Sequence, residues 1–441
     1  MNTVVKPGFF IAILFIGLAK LPLGESRIYH KPALAKSENI NKISVMNNIP
    51  DTFISNLLQK YPQYFSSTLP NSENLNIQIV YTKVDRLKKK KYAFTDHTFN
   101  LNPDNYFYPA STVKLPVAIL ALQKLNELKV AGLDKHTAMI TGNAGFGQTE
   151  VDKDPTAANA KPTIAHYIKK ILLVSDNDAF NRLYEFLGQE YINNTLHKMG
   201  YADVQIIHRL DVSLTEEQNR QTNPINFLDK SGKLIYSKSS EKSSLLYADR
   251  NTKLGKGYLS SGKLVNAPFD FSKKNRLPLQ DLHMIVRSII YPEAVDKKMR
   301  FNLTKDDYDF LRMYMSMTPE ESDYPVYKAP EYWDNYVKFL FYGSEKDKAK
   351  PEFRIFNKVG DAYGFLIDAA YFADFKNNIE FFLSATIYCN SDGVFNDDKY
   401  DYDTVGFPFL KNLGKVIYEY ELTRVLKKQA DLSKFKFNYI E

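Results

Sequence analysis

The chain has 441 residues, of which 44% are hydrophobic and 25% are charged, with 19 Gly and 20 Pro. This composition is typical of a globular protein and excludes a disordered, collagen-like or coiled-coil chain. The single cysteine, Cys389, excludes an intrachain disulfide framework and a cysteine-based metal site. The formal net charge is +7, and a positive charge can indicate an acidic partner. The 30 Phe and 30 Tyr, however, are spread along the chain and do not indicate a surface on which bases stack. Composition therefore gives no indication of a nucleic-acid-binding protein.

The first residues have the pattern of a targeting segment. Lys6 precedes an uncharged apolar stretch over residues 7–19, and small residues follow it. This pattern predicts a signal peptide over residues 1–25, followed by a polar linker over residues 26–50. The apolar run is shorter than the roughly 20 residues that a spanning helix needs. An uncleaved anchor that reaches Leu23 is the alternative interpretation. We expect an exported protein that works in the periplasm or outside the cell.

The rest of the chain, residues 51–441, is predicted to form one domain. Residues 51–65 have helical spacing that Pro62 ends or bends, and residues 75–84 and 92–99 are typical of a β-hairpin. Further helices are predicted over 115–129, 164–172, 178–187 and 279–290, strands over 353–359, 364–372 and 379–388, and a long amphipathic helix over 407–426.

A basic segment, residues 229–276, precedes the helix predicted over 279–290. It holds eleven Lys or Arg against four Asp or Glu, and it is rich in Ser and Gly. Its alternating pieces predict an inserted loop or hairpin with basic edges. Two interpretations stay open: a solvated flap, or a surface that contacts an anionic envelope polymer.

The order of the predicted elements indicates the architecture. A helix and two strands stand at the start, helices fill the middle, and strands with a final helix stand at the end. Because the first and last strands can share one sheet, we predict an α/β sandwich with an inserted all-α block.

Ser111 and Lys114 are the first candidate catalytic residues. A Ser at the start of a helix with a Lys three residues later places the hydroxyl and the amine on one helix face. Such a pair supplies a nucleophile beside a base. The same spacing occurs by chance at Ser239, Ser260 and Ser433, but only Ser111 precedes a strongly apolar helix.

Ser175, Asp176 and Asn177 form the second candidate element, and they lie between two predicted helices. Ser and Asp are common helix-capping residues, so a cap explains the triplet when it is taken alone. Beside the Ser111 and Lys114 pair, a second hydroxyl can relay a proton and an amide can orient a substrate carbonyl.

A Lys-x-Gly on a strand is the third element expected, and two segments are candidates. Lys230 precedes Ser and Gly, but it stands in the basic segment, where the local sequence is typical of a turn. Lys358 and Gly360 flank Val359 at the end of a predicted strand. We prefer Lys358 because another strand, a third strand and the closing helix follow it.

These three elements, in this order and context, resemble the motifs of serine β-lactamases and penicillin-binding proteins, and most closely those of class A β-lactamases. The resemblance extends from about Phe53 to the C-terminal helix, with the basic segment as an insertion. It implies a β-lactamase/transpeptidase-like three-layer sandwich. The roles that it implies are acylated nucleophile for Ser111, base for Lys114, proton shuttle for Ser175, substrate contact for Asn177, electrostatic anchor for Lys358, and an oxyanion hole formed by the N–H groups of Ser111 and Asp361 beside Gly360.

Two departures from that family bear on the substrate and the turnover. Val359 stands where the family usually has Thr or Ser, whose hydroxyl helps to bind the substrate carboxylate, and no Arg follows to replace it. The second departure concerns the carboxylate that activates the deacylating water, which in class A enzymes is a Glu in the loop after the second motif. Asp211 stands nearest the expected position, and Glu216 and Glu217 are the other candidates.

Other catalytic chemistries have no support in the sequence. It contains no G-x-S-x-G nucleophile elbow, and its seven His form no metal-binding pattern. We therefore expect an exported serine hydrolase, without metal or cofactor, that acts on a small-molecule or peptide-like acyl substrate. β-Lactam hydrolysis competes with peptidase or esterase action on an envelope substrate, and with a penicillin-binding-like protein that turns over weakly.

Overall fold

The computed structural model describes residues 52–87, 91–426 and 428–439. The predicted signal peptide and linker lie outside these residues, and export stays a prediction. Within the described ranges, no helix is both long enough and apolar enough to cross a membrane.

The helices form largely where helical spacing predicts them. Pro62 begins a short second helix, and Gly188 ends the helix predicted over 178–187. The helices are α1 (Thr52–Leu58), α2 (Pro62–Phe65), α3 (Lys114–Leu128), α4 (Ile164–Val174), α5 (Asn177–Leu187), α6 (Gln189–Met199), α7 (Glu216–Asn219), α8 (Leu279–Ile290), α9 (Lys305–Ser316), α10 (Phe339–Tyr342) and α11 (Phe407–Thr423).

The strands belong to one large sheet and several small ones. They are β1 (Gln78–Arg86), β2 (Tyr92–Phe99), β3 (Ala138–Thr141), β4 (Ile225–Leu228), β5 (Leu234–Lys238), β6 (Lys253–Leu254), β7 (Gly257–Ser260), β8 (Lys263–Val265), β9 (Phe269–Asp270), β10 (Phe353–Ala362), β11 (Phe365–Asp374), β12 (Ile379–Tyr388) and β13 (Val394–Phe395).

The large sheet joins the two ends of the described chain. Its strand order is β10-β11-β12-β1-β2, and its neighbours are antiparallel. β1 pairs with β12 in the register Gln78 to Thr386, which confirms that the first and last of the predicted strands share a sheet. β10 lies at the edge of this sheet, where one side of the strand is free to face the helices.

Two hydrophobic cores lie on the two faces of the sheet. On one face, α1, α2 and α11 pack against residues such as Tyr81 and Phe381. On the other face, α8 packs against β1, β11 and β12, and a second core continues into α3, α4 and α5. The three layers and the inserted helical block confirm the predicted fold class.

The sequence pattern did not predict the short helices α7 and α10, nor two longer helices, α6 and α9, which complete the helical block. α6 begins directly after Gly188, which both ends α5 and precedes α6, so the two helices follow without a linker. α9 begins at a capping box between Thr304 and Asp307. Both helices carry many polar residues, which weaken the apolar periodicity.

The basic segment forms real secondary structure. Its first turn joins β4 to β5, and Asp229 Oδ1 there accepts hydrogen bonds from the N–H groups of Ser231 (2.8 Å) and Lys233 (2.9 Å). Lys230 lies exposed in this turn, as the local sequence predicted. Further on, β7 pairs with β8 and β13, and β6 pairs with β9.

Candidate active site

Ser111 and Lys114 lie at the junction between a short 3-10 helix, Ala110–Val113, and helix α3. Lys114 Nζ lies 2.8 Å from Ser111 Oγ. Ser111 is half-buried, whereas the Lys114 side chain is fully buried. The predicted pair is therefore in contact, with the hydroxyl toward the solvent side and the amine beneath it.

The surroundings of Lys114 favour a neutral amine. Burial lowers its pKa well below the usual lysine value, and repulsion by the nearby Lys358 lowers it further. Nζ donates to Asn177 Oδ1 at 2.6 Å and to the carbonyl oxygen of Ser175. A neutral amine has two N–H groups and one lone pair, so these two acceptors leave the lone pair for the hydroxyl proton of Ser111.

The Ser175, Asp176 and Asn177 segment both caps a helix and enters the site. Asp176 is the N-cap of α5, and its side chain accepts from Ala179 N at 2.7 Å. Ser175 ends α4 in the left-handed conformation, with φ 61°. This turn places Ser175 Oγ 3.2 Å from Lys114 Nζ. Capping and participation in the site are therefore compatible.

Lys358, on β10, reaches the same serine from the opposite side. Its Nζ donates to Ser175 Oγ at 2.8 Å and to the carbonyl oxygen of Val359 at 2.8 Å. Only 2% of Lys358 is exposed, and this burial lowers its pKa to about 7. Ser175 Oγ thus lies between two buried amines. Lys230, the other candidate, lies outside this cluster in the exposed turn.

Gly360 allows β10 to pack closely against the segment that carries Ser111. A Cβ atom at Gly360 would lie 2.8 Å from Pro109 O and 3.0 Å from Ser111 N. Any larger residue would push the strand and the serine apart. The close approach is what the predicted oxyanion hole needs, because its two N–H donors belong to Ser111 and to Asp361, the residue after Gly360.

Asp361 borders the same place on β10. Its side chain is accessible from the cleft but surrounded by protein, and this partial desolvation raises its pKa, while Lys358 and Lys114 oppose the rise. Asp361 thus places a carboxyl group close to both lysines, and their positive charges favour its ionised form.

Asp211 is the loop carboxylate nearest to the cluster. Its Oδ2 accepts a long hydrogen bond of 3.5 Å from Asn177 Nδ2, and its backbone is left-handed, with φ 56°. Glu217 instead forms an exposed ion pair with Lys242, and Glu216 borders a different pocket, whose lining does not include Ser111. The structure thus brings Asp211, and neither glutamate, to the site.

Ser111 lies at the centre of a cleft with two halves. The half that contains Ser175 has a volume of about 640 Å³, and the half that contains Asp211 has a volume of about 420 Å³. Ser111, Asn177 and Asp361 border both halves. We call them the Ser175 half and the Asp211 half.

No sequence pattern predicts the wall of the Ser175 half. Four aromatic residues between α9 and β10 line it, beside Phe407 of α11, and we call these four the aromatic wall: Tyr332, Trp333, Tyr336 and Phe339. The density of aromatic residues over 332–342 was the available signal, but the order of elements did not connect this segment with the site.

The donor chemistry of the described residues does not suggest a metal. Among residues 52–87, 91–426 and 428–439, no group of three or more His, Cys, Asp or Glu is arranged to hold a metal ion.

Comparison with known proteins supports the resemblance seen in the sequence. Residues 68–248 match the model of the β-lactamase enzyme family. The matched range contains Ser111, Lys114, Ser175, Asn177 and Asp211, whereas Lys358 lies beyond it. Over these residues the match agrees with the resemblance to β-lactamases that the motifs predict, and the roles of the individual residues stay predictions.

Several solved structures resemble this chain at low identity. A β-lactamase from Sphaerobacter thermophilus DSM 20745 is 12% identical, with 82% of this chain and 96% of that chain covered and a TM-score of 0.42. PBP-A is 16% identical (83% and 96% covered, TM-score 0.44). A class A β-lactamase from Clostridium kluyveri DSM 555 is 15% identical (81% and 98% covered, TM-score 0.43). A search of the curated proteins found no significant match.

Proposed function

We propose, on the premise that residues 68–248 belong to the β-lactamase enzyme family, that the protein is a serine hydrolase that opens an amide or lactam through an acyl-enzyme on Ser111. The observation that carries the proposal is the 2.8 Å contact between Ser111 Oγ and the buried amine of Lys114. A buried amine with a lowered pKa is a competent base for a serine hydroxyl.

Acylation follows from the contacts around these two residues. Ser111 Oγ attacks the carbonyl carbon, and its proton passes to the lone pair of Lys114 Nζ. The negative charge that develops on the carbonyl oxygen faces the N–H groups of Ser111 and Asp361. As the carbon–nitrogen bond breaks, Ser175 gives its proton to the leaving nitrogen, and the protonated Lys114 restores it across 3.2 Å.

Deacylation needs a base for water in the other half of the cleft. Asp211 borders the Asp211 half together with Ser111. Its exposed carboxylate approaches Asn177 only at 3.5 Å, which is a weak contact. We infer that acylation is better supported by the geometry than deacylation.

The first test is the mass of the intact protein after mixing with a penicillin and, separately, with a cephalosporin, while ring opening is followed by absorbance. We expect a covalent adduct on the wild-type protein and none on Ser111→Ala. Fast ring opening without a lasting adduct indicates a β-lactamase. Adduct formation or ring opening that persists in Ser111→Ala would contradict the proposed nucleophile.

Two variants of Asp211 test the deacylation step. Asp211→Asn removes the base and should prolong the lifetime of the adduct at least about tenfold, since a positioned base contributes about 10²–10⁴-fold. Asp211→Glu extends the carboxylate toward the acyl group and should shorten the lifetime. Equal lifetimes for the wild type and Asp211→Asn would assign the water to another group.

Val359 supports a second candidate within the same chemistry. It borders the Ser175 half and has no hydroxyl with which to bind a substrate carboxylate. This favours a peptidase or esterase that acts on an envelope substrate. If neither β-lactam yields an adduct while a reporter ester is hydrolysed in a Ser111-dependent reaction, this second candidate replaces β-lactam hydrolysis.

Export is part of the proposal, because the signal-peptide pattern of residues 1–25 and the cell-envelope substrates of this chemistry agree. Cell fractionation tests it, with the mature protein expected outside the cytoplasm. The contact of the basic segment with an anionic envelope polymer is likewise a proposal.

A further inference from the structure

The two halves of the cleft give the substrate a direction, if the proposed function holds. Ser175, which hands its proton to the leaving nitrogen, borders only the Ser175 half. Asp211, the candidate base for the deacylating water, borders only the Asp211 half. The leaving group therefore occupies the Ser175 half, and the acyl group and the water occupy the Asp211 half.

The Ser175 half is built from rings held at fixed angles. The ring centroids of Trp333 and Tyr336 lie 4.9 Å apart at 83°, and those of Tyr332 and Tyr336 lie 5.2 Å apart at 77°. Edge-to-face packing of this kind holds aromatic side chains in place. Tyr332, Trp333 and Tyr336 are half-buried and keep part of their surface toward the cleft. Their apolar area is available to a ligand.

A buried polar network fixes the aromatic wall to the strands behind the site. Lys338 Nζ donates to Met315 O at 2.7 Å, to Ile355 O at 2.9 Å and to Asn357 Oδ1 at 2.7 Å. Ile355 and Asn357 belong to β10, the strand that carries Lys358. A wall tied to this strand keeps a constant distance from the catalytic cluster.

Asp368 completes the network from β11. Its carboxylate accepts from Leu340 N at 2.9 Å and from Asn357 Nδ2 at 2.8 Å. Leu340 lies directly after Phe339 of the aromatic wall. Because the wall is bound from both sides before any ligand arrives, binding to it costs little ordering of the protein.

The charges near the aromatic wall do not form a site for a carboxylate. Val359 offers no hydroxyl, and Asp176, Asp361 and Asp403 border this half. The Lys346 ammonium lies over the Trp333 ring, 4.7 Å from its centroid. Three carboxyl groups thus border the same half as this one ammonium, while the aromatic rings face the cleft.

We propose that the leaving group of the substrate carries an aromatic or similarly flat apolar ring, which binds against Tyr332, Trp333 and Tyr336. This inference rests on the proposed function for the direction of the substrate. The wall then selects the substrate through its leaving group, on the side where penicillin-like compounds would present a carboxylate.

Trp333 makes the inference testable without any turnover, because it is the one tryptophan of the chain. Phenylalaninamide and alaninamide serve as leaving-group probes that share the amine and the amide and differ in the ring. Each is titrated while Trp333 fluorescence is followed, with calorimetry as a second measurement. We expect phenylalaninamide to bind about 10- to 100-fold more tightly, the range for a well-placed apolar group.

Variants separate the wall from the rest of the site. Tyr336→Ala should reduce the preference to less than about threefold, and Tyr336→Phe should retain it. Trp333→Phe, followed by calorimetry, serves as a second wall variant if Tyr336→Ala fails to fold. Tyr400→Ala, in the Asp211 half, should leave the preference unchanged.

Two results would overturn the inference: equal binding of both probes to the wild type, or a preference that Tyr336→Ala leaves intact. The proposed function fails separately. It is contradicted if acylation does not depend on Ser111, whereas probe binding should be the same in Ser111→Ala. Failure of the proposed function is therefore seen in the acylation measurement, and failure of this inference is seen in the probe-binding measurement.

Discussion

Ser175 Oγ, placed between Lys114 Nζ and Lys358 Nζ, links two lysines whose charges disfavour each other. Burial lowers the pKa of both lysines, and repulsion by Lys358 lowers the pKa of Lys114 further. The two lysines have different predicted tasks. Lys114 must be neutral to accept a proton, whereas Lys358 must be charged to hold an oxyanion or a substrate. Their titrations therefore set the pH range of the reaction.

The pH dependence of kcat/KM for acylation follows from these directions. The rising limb comes from the loss of the Lys114 proton, at a pH well below the usual lysine value. The falling limb comes from the loss of the Lys358 charge, and it should lie near pH 7, where that pKa is placed by burial. A bell-shaped profile measured with a reporter substrate is expected.

Lys358→Arg is the matched variant for this profile, since a guanidinium stays charged at every pH used. The falling limb should move to higher pH in this variant, even if its maximal rate is lower. A falling limb that stays near pH 7 in Lys358→Arg would assign that titration to another group.

Which site residues the sequence could predict depends on how local their signal is. Ser111 and Lys114 are three residues apart, so helix geometry alone brings them together. The position of Lys358 among the predicted strands favours it over Lys230, and its contact with Ser175 agrees with this prediction. The aromatic wall depends on packing between distant segments, which no local spacing records.

At the scale of elements, the loop that carries Asp211 is held by a buried ion pair. Arg209 Nη2 lies 2.7 Å from Glu185 Oε1, and both side chains are fully buried. Glu185 Oε2 also accepts from the N–H of Asn223 at 2.5 Å. Glu185 belongs to α5, so this helix holds the loop at both ends, Arg209 and Asn223. Asp211 lies two residues after Arg209.

Arg209→Met should destabilise the protein by about 3–5 kcal/mol, because it leaves the Glu185 carboxylate buried without its cation. The measurement is urea unfolding. The double variant Arg209→Met with Glu185→Met should recover much of this loss, since it removes the isolated charge.

Lys242→Met is the control, because its ion pair with Glu217 is exposed, and it should change stability by at most about 1 kcal/mol. Equal losses in Arg209→Met and Lys242→Met would show that burial of the Arg209 pair does not determine its contribution.

The elements with strong periodicity were predictable, and those that depend on tertiary context were not. The apolar spacing predicted α8 over the same residues that the structure shows. α6 and α9 were not predicted because polar residues interrupt their apolar spacing. α6 begins after Gly188, and α9 begins at a capping box. Ser111 itself lies on a 3-10 turn before α3, a detail that helix periodicity does not resolve.

At the scale of the whole molecule, the basic segment has two different sides. Phe269 and Phe271 pack on Tyr363 and Phe395, and Tyr363 borders the Asp211 half of the cleft. One side of the segment therefore supports the site. The other side carries exposed lysines, at positions 253, 256 and 263 among others.

This arrangement predicts how a polyanion binds to the protein. The excess of positive charge is concentrated in residues 229–276, so the field that attracts a polyanion should come mainly from this segment. Retention of the mature protein on a polyphosphate column should weaken with salt, because salt screens exposed charges. The triple variant Lys253→Gln, Lys256→Gln and Lys263→Gln should elute at clearly lower salt than the wild type.

The control removes the same charge from other surfaces, through Lys60→Gln, Lys129→Gln and Lys198→Gln, which are exposed outside the segment. If both triple variants elute together, net charge alone determines binding, and the segment is a solvated flap. If only the first variant elutes early while Ser111 acylation is unchanged, the segment is a surface for an anionic polymer. Its aromatic side would then hold that surface close to the Asp211 half of the cleft.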